Sequence, residues 1–350
     1  MKNFFIGIDF SKEKFDATLI VNGNGAEAIM VSHEVFSNKK AGFADCIRWM
    51  RRETGKAMPE EVLLCGEDTG RYSDAFADYF YGRGYDLWLE NPLQIKRSMG
   101  IQRAKNDKAD SLAIAQYAKR FDDRARFYQP ESESLLQLRE IFNFRQHLVK
   151  QRKALAVRKG TVKETATEWN DTMKFIDKAA RKLVNSLDKD IEECDRRMAE
   201  LIESDEELSE TYRIVTSVKG IGLQNAAVLI VVTHNFTRFN DARQLACYCG
   251  VAPFAKQSGT SIHSPAHTSP LANKQIKALL SDAARCAVRF NPVLRTYYQR
   301  LINKGKHVGV ALNNVKNKLI HIIMAMVKNK TVFDPRFGHD LAVSYKTIVA

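Results

Sequence analysis

The stretch Phe4-Phe5-Ile6-Gly7-Ile8-Asp9-Phe10-Ser11-Lys12 is an apolar run with one carboxylate near its end. It continues through Lys14-Phe15-Asp16-Ala17-Thr18-Leu19-Ile20-Val21 into a second apolar run. The pattern predicts two strands joined at a short turn. An Asp placed where period-two alternation asks for a core residue is costly unless a cation binds it. Asp9 is therefore a candidate metal ligand. The competing reading is a strand-end carboxylate that caps a local turn through its side chain.

Beyond this stretch, Asn22-Gly23-Asn24-Gly25 is a turn signal, and residues 28–36 alternate as a third strand. Phe43, Ile47 and Met50 then recur at helical spacing. A buried strand at residues 62–67 ends on Glu67, so a second strand terminates on a carboxylate. A helix over 73–81 and a strand over 86–89 follow, stopped by Asn91-Pro92. Three antiparallel strands followed by alternating helices and strands is the element order of the ribonuclease-H-like α/β fold. A doubly wound dinucleotide binder would alternate from the start.

Residues 93–108 are basic and poorly patterned, and Lys96, Arg97, Arg103 and Lys105 are expected in a loop that touches phosphates. Asp107 and Asp110 stand three apart at the start of the next helix and project from one face. Taken alone, they read first as helix-capping acids at the N-cap and third positions, which satisfy free amides and favour the dipole.

From about residue 131 to 201 a charged segment carries Leu135, Leu138, Phe142, Leu148 and Leu155, then Leu183, Leu187, Ile191, Cys194, Met198 and Leu201. Near-heptad spacing predicts two long helices packed as a coiled coil. Arg139, Arg145, Arg152 and Arg158 recur along the first arm. They make either a solvated face or a grip on a nucleic-acid backbone.

The last part reads as helical. Lys219-Gly220-Ile221-Gly222 precedes a helix over 224–232, a glycine turn that can offer amides to a phosphate. Lys256-Gln257-Ser258-Gly259-Thr260-Ser261 reads as a loop, residues 274–289 as a helix, and Lys304, Lys306, His307, Lys316 and Lys318 as a basic end. The expected division is 1–128 for the α/β domain, 129–205 for the coiled-coil segment and 206–350 for a mainly α-helical domain.

The chain has 350 residues, a net charge of +13 and 45% hydrophobic residues, enough for two cores and a polyanionic partner such as nucleic acid. The longest apolar run, 226–232, is too short to cross a bilayer, and no signal-peptide pattern opens the chain. A cytoplasmic protein with no membrane partner is expected. The six cysteines mostly hold apolar positions, and Cys247-x-Cys249 lacks zinc-ligand spacing. Reduced core thiols are expected.

Asp9, Glu67, Asp107 and Asp110 together form a set that individual capping roles do not predict. Carboxylates converging on one sheet edge suit Mg²⁺ or Mn²⁺, and such ions can serve phosphodiester cleavage.

Gly7-Ile8-Asp9-Phe10-Ser11-Lys12, Glu67-Asp68-Thr69-Gly70-Arg71-Tyr72 and Lys105-Asn106-Asp107-Lys108-Ala109-Asp110-Ser111 resemble the acidic motifs of the DEDD transposases of bacterial insertion sequences related to the Piv and MooV recombinases. Gly220-Ile221-Gly222, residues 239–253 and Gln257-Ser258-Gly259 resemble that family's second, transposase-specific domain. The resemblance implies a RuvC-like N-terminal domain and a transposase or recombinase that cuts and rejoins DNA. It also implies a catalytic serine at Ser258, and a structured non-coding guide RNA, the bridge RNA, that pairs with donor and target DNA. A homo-oligomer, dimer or tetramer, in the bacterial cytoplasm and near the nucleoid follows from the same resemblance. The alternatives are a metal-dependent, RuvC-like junction-resolving endonuclease, which needs the acids but not Ser258, and a nucleic-acid-binding scaffold that is not an enzyme.

Overall fold

The structure is a computed structural model that describes residues 2–22, 28–98, 106–165, 170–258, 262–268 and 272–336. It divides into two compact units, Met1–Pro130 and Glu131–Ala350.

In the first unit the strands β1 (Phe4–Phe10), β2 (Lys14–Asn22), β3 (Ala28–Ser37), β4 (Val62–Glu67) and β5 (Asp86–Glu90) form one sheet, interleaved with helices α1 (Lys40–Glu53), α2 (Asp74–Tyr81), α3 (Pro92–Ser98) and α4 (Asp107–Arg120). The strand order is β3-β2-β1-β4-β5. β1 pairs antiparallel with β2 and parallel with β4, β2 is antiparallel to β3, and β4 is parallel to β5. This mixed order is the ribonuclease-H-like one read from the element sequence.

Alternation along the strands sorts their side chains between two cores. Ile6, Ile8, Phe10, Phe15, Leu64 and Leu87 pack with Phe43, Phe76 and Phe80 on the α1 and α2 face. Phe5, Ile20, Leu63, Cys65 and Trp88 pack with Ile114, Ala115, Tyr117 and Ala118 of α4 on the other. The basic stretch expected as a loop begins with α3, so Lys96 and Arg97 sit in the last turn of a short helix. Arg103 and Lys105 lie outside the described residues.

The second unit contains the long helices α5 (Glu133–Thr165) and α6 (Asn170–Ser204), then α7 (Glu206–Thr216), α8 (Leu223–Thr233), α9 (Ala242–Tyr248), the strands β6 (Pro253–Ser258) and β7 (Ile262–Thr268), and α10 (Lys274–Phe290), α11 (Pro292–Asn303) and α12 (Val308–Lys328). The stretch read as a loop around Ser258 is in fact one side of an antiparallel hairpin, with Ser258 opposite Ile262.

Leu135, Leu138, Phe142, Met198 and Ile202 share one core with α7, α8, α10 and α12, so the long helices are rooted in the C-terminal unit and do not stand apart from it. Away from that root burial fades, and Leu183 is 54% exposed. Arg145 pairs with Asp195 and Arg152 with Asp188. Seven residues forward on one helix match seven back on the other, which makes the pair antiparallel.

Candidate active site

Gly7 determines where α4 can lie. A Cβ at Gly7 would stand 2.1 Å from the Ser111 carbonyl oxygen and 2.2 Å from the Ala115 amide nitrogen, so α4 rests directly on the backbone of β1. Above this contact, Thr18 Oγ1 and Ser111 Oγ share a buried hydrogen bond of 2.7 Å. Asn106 begins the helix, its Oδ1 accepting from the Ala109 amide at 2.7 Å. The cap is therefore neither of the two acids, and Asp107 and Asp110 are released from the capping role that could have explained them.

Asp9 lies two residues past Gly7 on the same face of β1. It is paired in register with Asp16 of β2, and one step beyond the Ile8–Gly66 pair it is level with Glu67 of β4. Glu67 is in turn paired with Glu90 of β5. Four carboxylates thus form a row across four adjacent strands on the face that α4 covers, and the first turn of α4 brings Asp107 and Asp110 to it. Glu67, not its neighbour Asp68, faces α4; Asp68 Oδ1 accepts from the Gly70 amide at 3.4 Å.

The electrostatics follow from this convergence. Burial first, then the charges of Glu67, Asp110, Asp107 and Asp16, push Asp9 up from 3.8 to about 6. Burial and Asp110 raise Glu67, and Lys96 pulls it back. This places the α3 lysine within electrostatic reach of the carboxylates. Lys14 Nζ bridges Asp107 at 2.8 Å and Asp16 at 3.3 Å, and its hydrogen bond holds Asp107 below the usual carboxylate range. Asp16, 5% exposed, also meets His33 Nε2 at 3.1 Å.

Among the described residues no three His, Cys, Asp or Glu stand close enough to hold a metal ion outright. The donor set nevertheless fits a hard divalent cation. It is made of carboxylate oxygens only, and its central member is raised first by burial and then by the charges of its neighbours, both of which a bound cation would offset. Sequence reasoning passed over Asp16 and Glu90, although each breaks the apolar alternation of a buried strand as Asp9 does.

The other expected site residues are placed as follows. Arg145 Nε donates to Asp195 Oδ1 at 2.6 Å and its second nitrogen to Oδ2 at 3.1 Å. Arg152 makes the same two-pronged contact with Asp188. Both guanidiniums, expected on a nucleic-acid face, are engaged across the helical hairpin, and Asp195 is also bound by Gln224 of α8. Gly220 adopts φ +109°, and a Cβ there would meet the Ala287 backbone at 2.6 Å. Its need for glycine therefore comes from close contact with α10. Gly222 is the exposed N-cap of α8, and Lys219 is exposed beside it. Ser258 closes β6, and residues 259–261 lie outside the described set.

A transposase family model, DEDD type of the IS110 element, matches residues 6–161. A second, the transposase IS116/IS110/IS902 family, matches residues 212–299. The chain is 26% identical over 348 residues to the pilin gene-inverting proteins of Moraxella lacunata and Moraxella bovis, covering 96% of this chain and 99% of each of those proteins. It is 37% identical over 131 residues to the insertion element IS110 uncharacterized 43.6 kDa protein of Streptomyces coelicolor, covering 37% of this chain and 32% of that protein. Thermus thermophilus RuvC in complex with a Holliday junction substrate aligns with 36% of this chain and 99% of its own, at 14% identity and a TM-score of 0.28. The fold assignment rests on strand order and not on that alignment.

A chain with both of these domains, in this order, is a DNA transposase or recombinase of the DEDD class. The two parts of the chain carry transposase domains of the IS110 and IS116 type. Among the described residues no helix is long and apolar enough to cross a membrane.

Proposed function

We propose that this protein cuts and rejoins DNA strands with Asp9, Glu67, Asp107 and Asp110 as the ligands of Mg²⁺ or Mn²⁺ and Ser258 as the nucleophile. A structured RNA chooses donor and target, and the protein acts as a homo-oligomer. The observation that carries the reading is the carboxylate row that meets the first turn of α4. A divalent ion bound there supplies positive charge against the oxyanion that develops in phosphodiester transfer.

The residues of the chain do the rest. A serine hydroxyl is a poor nucleophile near neutral pH and needs a base or a cation to lose its proton. Its own segment, Lys256 to Ser261, holds neither a carboxylate nor a histidine. Ser258 Oγ bonds to phosphorus as one bridging P–O bond of the DNA strand breaks. The serine proton is lost, and the departing strand end is protonated to a hydroxyl. A strand hydroxyl attacking the serine phosphodiester reverses the step, rejoins DNA and returns a proton to Ser258, with no external energy source. Asp16 and Lys14 position Asp107, and Lys96 lies where a backbone phosphate would approach the acids. Inversion, named for the Moraxella relatives, and transposition are both strand exchanges that this chemistry can perform.

The test uses full-length protein purified with its RNA, Mg²⁺ and end-labelled DNA, followed by denaturing electrophoresis and peptide mapping. The wild type should give a protein–DNA adduct on Ser258, and Ser258→Ala and Asp9→Asn should give none. An adduct that persists in Ser258→Ala, or maps to Ser261 or a tyrosine, overturns the serine assignment. Free cleaved ends without an adduct would mark a junction-resolving endonuclease instead.

A further inference from the structure

The net charge of the protein is not spread along the chain. Residues 1–241 carry equal numbers of acidic and basic side chains, and so do residues 334–350. The whole surplus of +13 falls within residues 242–333, where fourteen Lys and Arg are accompanied by one acid, Asp282.

Inside that segment one ammonium is buried where helical periodicity asks for an apolar residue. Lys316 of α12 falls between Leu312 and Ile320 in the i±4 row, is 7% exposed, and its neighbours Val315, Leu319 and Ile320 are core residues. Its Nζ donates to Ser281 Oγ at 3.1 Å. No carboxylate among the described residues pairs with it. Ser281 is the middle member of Lys277, Ser281 and Arg285, which recur every four residues and so share one face of α10.

The charges that act on Lys316 are those of Lys277 and Arg285, and together with burial they hold it below the ordinary lysine range. Lys277 also donates to Thr268 Oγ1 of β7 at 3.0 Å. Arg285 is paired with Asp282 at 2.6 Å, both side chains being more than half exposed, a pairing that water weakens.

Three cations converging on a buried position oppose one another, and an ammonium taken from water without a counter-charge is unfavourable. Of the three Nζ protons, one has a partner among the described residues. The chemistry that makes such a place favourable is an anion with several acceptor oxygens.

We infer that the α10–α12 seam, through Lys316, Lys277, Arg285 and Ser281, binds a phosphodiester of a polynucleotide backbone. The inference rests on the reading of this chain as one that joins nucleic-acid strands, and it adds where a strand lies. That place is beside the hairpin whose first strand ends at Ser258. From Pro253, opposite Thr268, to Ser258 is five residues of strand, roughly 17 Å, a span of a few nucleotides.

The experiment measures binding of full-length protein to a labelled duplex DNA and, separately, to an RNA hairpin, in EDTA at about 50 to 200 mM salt. Strand cleavage plays no part, so failure of the site and failure of the proposed chemistry are read independently. In Lys316→Met and in Lys277→Gln the salt slope should fall by about one unit, which shrinks the affinity ratio between the two salt concentrations about three- to fourfold. Lys304→Gln, which removes the same charge from the α11–α12 connection, should leave the slope unchanged.

A change confined to DNA or to RNA names the backbone that is bound. If Lys316→Met does not fold, Lys277→Gln decides alone. Slopes equal to the wild type for both nucleic acids, or an equal fall in Lys304→Gln, would overturn the site.

Discussion

Replacing Asp9 by Asn should make the metal-free protein more stable and the metal-bound protein less so. The environment of Asp9 raises its carboxyl from 3.8 to about 6, so above pH 6 the folded state holds a carboxylate that the unfolded chain holds more favourably. A group raised in this way penalises folding at neutral pH, and the penalty fades as pH falls through about 6 and is gone only below about 3, where both states are protonated. Fully converted to free energy, the difference between the folded and unfolded carboxyl corresponds to about 3 kcal/mol. The group is only about half removed from solvent, and screening reduces this to about 1 kcal/mol.

For a unit of this size that is a rise of about 3–5 °C in melting temperature for Asp9→Asn in EDTA at pH 7.5, falling to a small fraction of that near pH 4 and vanishing below about pH 3. Trp49 and Trp88, 3% and 2% exposed, report the transition of the first unit by fluorescence. Millimolar Mg²⁺ should reverse the order, because a ligand at about a hundred times its dissociation constant adds about 2.7 kcal/mol to the form that binds it. If Asp9→Asn melted below the wild type in EDTA at pH 7.5, Asp9 would be a structural acid satisfied by local hydrogen bonds, and the case for a cation site at the end of β1 would fail.

Gly7→Ala should displace α4 from β1, because the new methyl would fall 2.1 Å from a backbone oxygen. A loss of more than about 3 kcal/mol is expected, read as a lowered first transition or insoluble protein, and a melting curve matching the wild type refutes the close approach. Arg145→Ala strands a half-buried Asp195 and should lower the stability of the second unit by about 1–3 kcal/mol, with a double-mutant cycle against Asp195→Ala recovering the coupling. The salt slope of DNA binding should not move in Arg145→Ala; a fall of one unit would return this arginine to the nucleic-acid face.

The features that the sequence disclosed and those it concealed share one physical rule. Asp9 was legible because a carboxylate inside the apolar alternation of a buried strand is a local anomaly, and the strand order followed from element succession. Asp16 and Glu90 break the same alternation, but each lies near a strand end, Asp16 just after the turn at residues 11–13 and Glu90 beside Asn91-Pro92. Only the register, Asp16 to Asp9 and Glu67 to Glu90, shows that they continue the row.

Long-range pairing also hid the roles of Arg145 and Arg152. Their partners lie 50 and 36 residues away, and spacing along one helix cannot distinguish an inward clamp from a solvated face. The hairpin of β6 and β7 escaped because Ser, Gly and Pro in residues 258–265 weaken strand propensity. Lys316 escaped for a different reason, since a lysine near a basic terminus invites counting and not placing. On the helical period of α12 it occupies a core position, the mirror of Asp9 in charge and in logic: an ionised group where the fold has removed water and supplied too little opposite charge. In the first unit the stranded charge is negative and calls for a cation; in the second it is positive and calls for an anion. A phosphodiester-joining enzyme needs both, a cation to meet the developing oxyanion and fixed positive charge to hold the backbone that bears it.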